Sequence, residues 1–196
     1  ANGKGIIPED NPLSLGVIGR NGTYMANESC RSCEVLLAVG AKFDDRQSSS
    51  WIPGYSFNIP PTQLIHVDID PEELGRNYPP TLGIQADAKS FMGELCRVAD
   101  LKIKKTSDST DSWLNEIRNW REDWTEFNRE PSESDAIPIR PERLLKEMRK
   151  VLPREAIVVC DVGEHHNWVI QFFESYEPQT MLQSWGFASM GFGVCG

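Results

Sequence analysis

Three short apolar stretches constrain the fold of this chain more than any other feature of its sequence. They occupy residues 35–39, 64–70 and 156–160, and a glycine or an aspartate follows shortly after each of them. A continuous apolar stretch of this length is typical of a strand that is buried on both faces of a parallel sheet. We therefore predict a buried parallel strand at each of the three places.

Amphipathic patterns follow or precede these strands. Asp87 precedes apolar residues at 88, 91, 95 and 98, and Asp70 precedes Pro71, so each aspartate is predicted to cap a helix. Further helices are predicted at 27–33, 141–151 and 165–172, and a short strand at 180–183. Alternating strands and helices form βαβ units, so the predicted class is α/β with parallel, Rossmann-like sheets.

The composition divides the chain into two α/β modules, at 1–101 and 139–196, with a linker at 102–138. The linker contains a helical pattern at 112–127 with a stripe of large apolar residues, which we interpret as a core-facing side: Trp113, Ile117, Trp120, Trp124 and Phe127. Nine acidic and three basic residues lie between 106 and 135, so most of the net charge of −9 belongs to a solvated connector.

The composition excludes several classes of partner. A pI of about 4.9 argues against nucleic acid and anionic membranes. No apolar stretch is long enough to span a bilayer. Cys30 and Cys33 have the spacing of a zinc or redox half-site without a second half, so a zinc site is disfavoured, and the simpler interpretation is two helix residues ahead of a strand. A reducing cytoplasm suits such cysteine usage, and Cys160 is expected to be a small buried residue.

Candidate ligand-binding residues follow the predicted strands. Residues 40–46, Asp68 and Asp70 lie where open parallel sheets bind ligands, although aspartates there also cap turns. In the second module, Gly163 lies at a strand-to-helix turn whose backbone N–H groups suit a phosphate. The segment 184–193 combines glycines with large apolar residues and suits either a flat ligand or a tight turn into a buried helix. His66 is expected to be a hydrogen-bonded core residue.

Five segments, at 19–23, 40–46, 66–77, 161–168 and 184–193, together carry a family resemblance. In order and spacing they resemble the large, catalytic subunit of acetolactate synthase, or a close relative among the thiamine diphosphate-dependent enzymes. The resemblance implies a subunit of three α/β domains. This chain would correspond to most of the middle domain, the linker and the start of the diphosphate-binding domain.

The resemblance also implies binding residues. Those matching the thiamine diphosphate segments are Val162, Gly163, Glu164, His165, Ala188 and Met190. Those matching positions that line FAD are Gly19, Gly22, Gly40, Lys42, Asp44, Asp45, Asp68 and Asp87. The chain departs from the family at Glu164, where glutamine is common, at Ala188, where glycine is usual, and at Lys42, where arginine is common. It also has Arg20 and Asn21 where methionine and histidine are common.

The implied activity is decarboxylation of a 2-oxo acid and transfer of the acyl (acetaldehyde) unit to a second carbonyl compound, as in branched-chain amino acid biosynthesis. The thiazolium serves as the electron sink. The resemblance assigns Mg²⁺ binding and the activating glutamate to residues outside this sequence, so we expect the 196-residue chain alone to be inactive. It further implies a homodimer or tetramer. The alternatives are another thiamine diphosphate-dependent decarboxylase or acyltransferase, and a non-catalytic nucleotide-binding module.

Overall fold

The computed structural model describes residues 3–103, 108–184 and 186–195 in two compact units. One unit is formed by residues 27–116, and the other combines residues 1–26 with 117–196. The elements are α1 Tyr24–Ser32, β1 Val35–Val39, β2 Gln63–Asp68, β3 Leu82–Gln85, α2 Ala88–Lys102, α3 Asp108–Phe127, α4 Arg129–Glu133, α5 Pro141–Val151, β4 Val158–Cys160, α6 Glu164–Phe172, β5 Met181–Gln183 and α7 Phe192–Cys195. The predicted α/β class with parallel sheets is confirmed.

The unit of residues 27–116 contains a parallel sheet in the order β1-β2-β3. The central strand β2 pairs Leu64 with Leu36 on one side and Val67 with Ile84 on the other. Leu64 and Val67 are completely buried. His66 is also buried, and its Nε2 lies 2.9 Å from the carbonyl oxygen of Ala41, which confirms it as a hydrogen-bonded core residue.

The edge strands of this sheet differ from the prediction. Strand β1 has the predicted bounds, but Val35 and Leu37 are exposed and only Ala38 is buried, so the prediction of burial on both faces is wrong. Successive side chains of a strand point to opposite faces, and in β1 Val35 and Leu37 share the uncovered face. The sequence analysis gives no strand at β3, because its four residues include Gly83 and Gln85 and form no continuous apolar stretch.

The two predicted helix caps have different outcomes. Asp87 caps α2, since its side chain accepts a hydrogen bond from the Ser90 backbone N–H at 2.9 Å. No helix begins at Pro71: the Asp70 carboxylate accepts the Glu72 N–H at 3.0 Å and closes a turn, which corrects the prediction. The predicted apolar side of α2 contains no buried residue.

The second unit contains the parallel pair β4 and β5, connected through α6. Its core includes Phe173, Ile170 and Leu145, and Cys160 is buried as predicted. The apolar stripe on α3 faces the core only in part. Ile117 and Trp120 are buried, and Trp124 stacks on Phe172 with ring centroids 5.7 Å apart. Phe127, in contrast, is 78% exposed. The expectation that Phe127 faces the core is therefore wrong.

A buried ion pair ties the beginning of the chain into this second unit. Lys4 Nζ donates to both carboxylate oxygens of Glu9, at 2.8 and 2.7 Å, and Glu9 also accepts the Ser175 N–H at 2.7 Å. Burial lowers the pKa of Lys4, against the attraction of Glu9. These bonds explain why residues 1–26 cluster with 117–196, while the predicted domain boundaries at 101 and 138 stay predictions.

Within the three described ranges, every helix is too short or too polar to cross a lipid bilayer.

The central strand predicts a strong contrast between two leucine-to-alanine substitutions. Leu64 is 0% exposed in β2, whereas Leu82 is 51% exposed in β3. We expect Leu64→Ala to lower the free energy of unfolding by about 2–5 kcal/mol, because it leaves a cavity. Leu82→Ala should lower it by about 1 kcal/mol or less. Urea titration followed by circular dichroism measures both, and equal losses would contradict this description of the core.

Candidate functional site

The carboxyl ends of β1, β2 and β3 lie side by side. The sequence predicts a ligand-binding edge at the ends of β1 and β2. The Gly40 N–H donates to the Val67 carbonyl at 2.8 Å, and the Ala86 N–H donates to the Asp68 carbonyl at 3.0 Å. The structure therefore brings together Gly40, Lys42, Asp44, Asp45, Asp68 and Asp87 at one end of one sheet.

Phe43 anchors the loop that follows β1. Its ring is buried and makes edge-to-face contacts with Phe57 and His66, with centroids 5.1 and 5.2 Å apart. Its carbonyl oxygen accepts hydrogen bonds from Trp51 Nε1 at 3.0 Å and Asn77 Nδ2 at 3.1 Å. Because Phe43 is buried, the neighbouring side chains of this loop, which resemble flavin-binding residues, are held at the surface.

Lys42 is held by a carboxylate that the sequence analysis missed. Lys42 Nζ and Arg76 Nη1 each donate to Glu73 Oε1 at 3.0 Å, and Glu73 is buried. The hydrogen bond with Glu73 and its charge raise the pKa of Lys42. Nothing in the local sequence indicates that Glu73 would be buried and that its neighbour Glu72 would be exposed.

The aspartates of this edge make local backbone hydrogen bonds. Asp44 accepts the Gln47 N–H at 2.9 Å, and Asp68 accepts the Asp70 N–H at 3.0 Å. The backbone hydrogen bond from Ser90 lowers the pKa of Asp87. Asp45 contributes its carbonyl oxygen to the Ser50 N–H at 2.7 Å. The side chains of Asp44, Asp68 and Asp87 thus act as turn and cap residues, the structural alternative to ribose binding.

Gly19 and Gly22 belong to the other unit, so the set that resembles flavin-binding positions is divided between the two units. They form a tight turn, in which the Gly22 N–H donates to the Gly19 carbonyl at 2.9 Å. A Cβ atom at position 22 would lie 2.1 Å from the Val17 carbonyl oxygen, so the turn itself requires glycine there.

The turn between β4 and α6 has the properties of an anion site. Gly163 is the N-cap of α6 with φ of 150°, and no side chain caps this helix. A Cβ at position 163 would lie 2.9 Å from the His165 ring. The first N–H groups of a helix have no intrahelical partners, so this uncapped end suits a negatively charged group. Glu164 Oε2 accepts a hydrogen bond from Asn167 Nδ2 at 3.0 Å, within its own helix.

The two adjacent histidines diverge, as the helical pattern predicts. His165 is exposed beside Gly163. His166 is buried, and its Nε2 is hydrogen-bonded to Gln183 Oε1 of β5. His165 is therefore available to a ligand at the turn, whereas His166 has a structural role. In the described parts of the chain, no three His, Cys, Asp or Glu side chains are grouped as metal ligands.

The segment that contains Ala188 and Met190 approaches the same turn. Ala188 has φ of 51°, and Met190 is 86% exposed. The Gly191 N–H lies 3.0 Å from each carboxylate oxygen of Asp161, the residue that follows β4. Helix α7 contains no buried residue, so the expectation of a buried helix here is wrong, although a turn does precede it. Asp161 begins the segment 161–168 that carries the resemblance, but nothing in the sequence pairs it with residue 191.

A cavity of about 460 Å³ lies elsewhere in the same unit. Its lining includes Lys4, Arg121, Trp124, Arg149 and Tyr176. None of the residues predicted to bind thiamine diphosphate lines it. The residues expected to bind thiamine diphosphate therefore lie outside this cavity.

The Cys30 and Cys33 thiols are unpaired. Cys30 lies in α1, and Cys33 follows that helix, with its Sγ 3.4 Å from the Cys30 carbonyl oxygen. Burial raises the pKa of Cys30 to about 12. Cys30 is therefore a helix residue, whereas Cys33 lies between that helix and β1.

Known proteins match this chain over almost its whole length. Residues 1–95 match the sequence family described as thiamine pyrophosphate enzyme, central domain. The chain is 34% identical, over 97% of its length, to the probable acetolactate synthase large subunit of Methanocaldococcus jannaschii. It is 34% identical to the acetolactate synthase large subunit of Cyanidium caldarium and 32% identical to acetolactate synthase 1, chloroplastic, of Oryza sativa subsp. japonica, over 98% of its length in both cases. It spans about a third of these relatives: 32%, 31% and 29% of their lengths.

The positions of Gly163 in a turn and Gly93 in a helix predict opposite effects when each glycine is replaced by alanine. Gly163→Ala should lower the free energy of unfolding by about 1–3 kcal/mol, because of its positive φ and the contact with His165. Gly93→Ala in α2, where an added Cβ meets no described atom within 4 Å, should raise it by about 0.5–1 kcal/mol. Chemical denaturation compares the two, and a stabilising Gly163→Ala would refute the described turn.

The cysteine environments predict selective alkylation. With a pKa of about 12, Cys30 is almost entirely a protonated thiol at about pH 8 and should react slowly with iodoacetamide. Cys96 is exposed and should be labelled first. Peptide mass spectrometry measures the order of labelling, with urea-unfolded protein as the control in which both react. Equal rates for Cys30 and Cys96 in the folded protein would contradict the raised pKa of Cys30.

Proposed function

We propose that this chain belongs to a thiamine diphosphate-dependent transferase that acts on 2-oxo acids. Two findings support the proposal: the chain is homologous to acetolactate synthase large subunits, and its residues 1–95 carry a thiamine pyrophosphate enzyme central domain. The proposed reaction is acetolactate synthase-like: decarboxylation of the 2-oxo acid and transfer of the acyl unit to a second carbonyl compound. The single observation that supports it best is the uncapped turn at Gly163, in the segment that resembles the diphosphate-binding motif.

The residues of this turn fit a diphosphate. The N–H groups at the start of α6 point out of the helix end, and their positive partial charge favours phosphate oxygens. We propose that Val162, Gly163, Glu164 and His165 hold the diphosphate through the backbone and the His165 ring. The carboxylate of Glu164 bonds to Asn167, so its negative charge is directed to a partner on its own helix. A side chain at Gly163 would meet the His165 ring at this turn.

The apolar residues that follow β5 fit the rings of the same cofactor. We propose that Ala188 and Met190 contact the ring portion, because Met190 is exposed and its thioether is polarisable. Burial of Met190 against a ligand would also remove apolar surface from water. When bound, thiamine diphosphate supplies the electron sink for decarboxylation. The contribution of this chain is to bind and orient the cofactor and to cover part of it from water.

FAD is a separate proposal that rests on the resemblance. The set comprises Gly19, Gly22, Gly40, Lys42, Asp44, Asp45, Asp68 and Asp87. Local turns, caps and the Lys42–Glu73 ion pair account for most of these residue types, so the described geometry does not by itself select a flavin. Flavin absorbance of the purified protein tests this proposal independently of thiamine diphosphate.

The remaining parts of the proposal concern the whole enzyme. Mg²⁺ is proposed as the companion of the diphosphate, with ligands that this sequence does not contain. A homodimer or tetramer is proposed from the family resemblance. Five unpaired cysteines support a reducing compartment, and we propose the cytoplasm, although the rice relative is named as a chloroplastic protein.

The proposal predicts that the full-length gene product forms acetolactate from pyruvate only when thiamine diphosphate and Mg²⁺ are added. Replacing Gly163 by valine should weaken thiamine diphosphate binding by roughly tenfold or more, because the turn can no longer present its N–H groups. Gly93→Ala, on an exposed helix position, serves as the control with unchanged binding. Calorimetric titration measures affinity, and product analysis measures acetolactate.

Other outcomes of this experiment separate the alternatives. Release of an aldehyde without acetolactate would favour a decarboxylase and contradict the synthase reaction. A full-length protein that binds no thiamine diphosphate at all would contradict the proposed function and favour a non-catalytic module.

A further inference from the structure

The carboxylate of Asp161 joins the two segments of the proposed thiamine diphosphate site. Its Oδ1 accepts the Val162 N–H at 2.7 Å, and both of its oxygens lie 3.0 Å from the Gly191 nitrogen. Val162 begins the turn before α6, and Gly191 directly follows Met190. One side chain thus contacts the backbone of both segments, which are about 30 residues apart in the sequence.

The shape of the second segment is adapted to this contact. Gly191 has φ of 92°, a conformation that favours glycine. A Cβ atom at Gly193 would lie 3.0 Å from the Asp161 Cβ and 3.3 Å from its backbone nitrogen. Two glycines therefore allow the backbone of 191–193 to approach Asp161, and a larger residue at 193 would push the segment away.

The hydrogen bonds favour an ionised side chain. The Val162 N–H, followed by the amides of Gly191 and Gly193, holds the pKa of Asp161 below its usual range, and the charge of His165 acts in the same direction. An ionised carboxylate offers only acceptors, which matches the backbone donors around it. Hydrogen bonds to an ionised acceptor are roughly twice as strong as neutral ones.

From this geometry we infer that Asp161 is a positioning residue, which sets the place of Met190 relative to the Gly163 turn without itself touching the cofactor. This inference rests on the proposed function. In the proposed complex, residues 162–165 hold the diphosphate of the cofactor and Met190 contacts its rings. Asp161 determines the distance between these two segments, because it is hydrogen-bonded to both. Loss of Asp161 should then weaken cofactor binding, because the ligand would have to order the 188–193 segment on binding.

The test uses the full-length gene product with Asp161→Ala, Asp161→Asn and, as a charge-matched control, Asp135→Asn. Asp135 is an exposed residue of the same unit that pairs with Arg143. Three quantities are measured: hydrogen exchange of the 188–193 peptide without cofactor, the Kd for thiamine diphosphate with Mg²⁺, and the midpoint of urea unfolding. Should Asp161→Ala fail to fold, Asp161→Asn, which keeps one acceptor oxygen, supplies the comparison.

We expect faster exchange at 188–193 and a Kd raised roughly tenfold or more in Asp161→Ala, with a smaller rise in Asp161→Asn and no change in Asp135→Asn. The unfolding midpoint should stay close to that of the unsubstituted protein. A Kd that is unchanged while exchange increases would overturn the positioning role, and so would unchanged exchange. If the unsubstituted protein itself binds no thiamine diphosphate, the proposed function fails and this inference fails with it, a result distinct from the other two.

Discussion

The buried central strand β2 is the constraint on which the unit of residues 27–116 depends. Both of its edges are paired, with β1 on one side and β3 on the other, so its backbone groups are satisfied inside the sheet. Leu64 and Val67 are fully buried, while His66 carries a polar ring into the core and bonds to Ala41. That bond and the burial of Phe43 determine where the loop after β1 can run. The surface edge formed by Lys42 and the aspartates is a consequence of this packing.

The second unit depends instead on polar groups buried in its interior. The pair of Lys4 and Glu9 loses water on burial, a cost that their two mutual hydrogen bonds and the Ser175 N–H reduce. Arg149 adds contacts with the carbonyls of Glu174 and Leu152 and stacks over Phe173 and Tyr176. These contacts are specific in direction, so they constrain the chain around α5 and α6 more narrowly than apolar packing alone.

The sequence predicted best those elements whose signal is local. Strand β1 and helix α5 have the predicted bounds, and Asp87 caps α2, because apolar periodicity and capping residues act within a few positions. The prediction failed where a local signal competes with a tertiary one. Asp70 before Pro71 resembles a helix start, yet its carboxylate closes a turn. Phe127 continues the α3 stripe in register, yet at the last residue of the helix it is exposed, while Trp124 stacks on Phe172.

By itself, the sequence determined the α/β class, the strands β1, β2, β4 and β5 and the glycine turn before α6, because each is encoded by residues near one another in the chain. The order and spacing of five such segments carried the family resemblance. Only the tertiary structure decided that Glu73 is the buried partner of Lys42 and that Asp161 joins the Val162 turn to Gly191. Their partners lie about 30 residues away in the sequence. The residue type alone does not reveal whether a carboxylate caps a turn, neutralises a lysine or positions a loop. Which of these it does is set by the donors that folding brings within hydrogen-bonding distance.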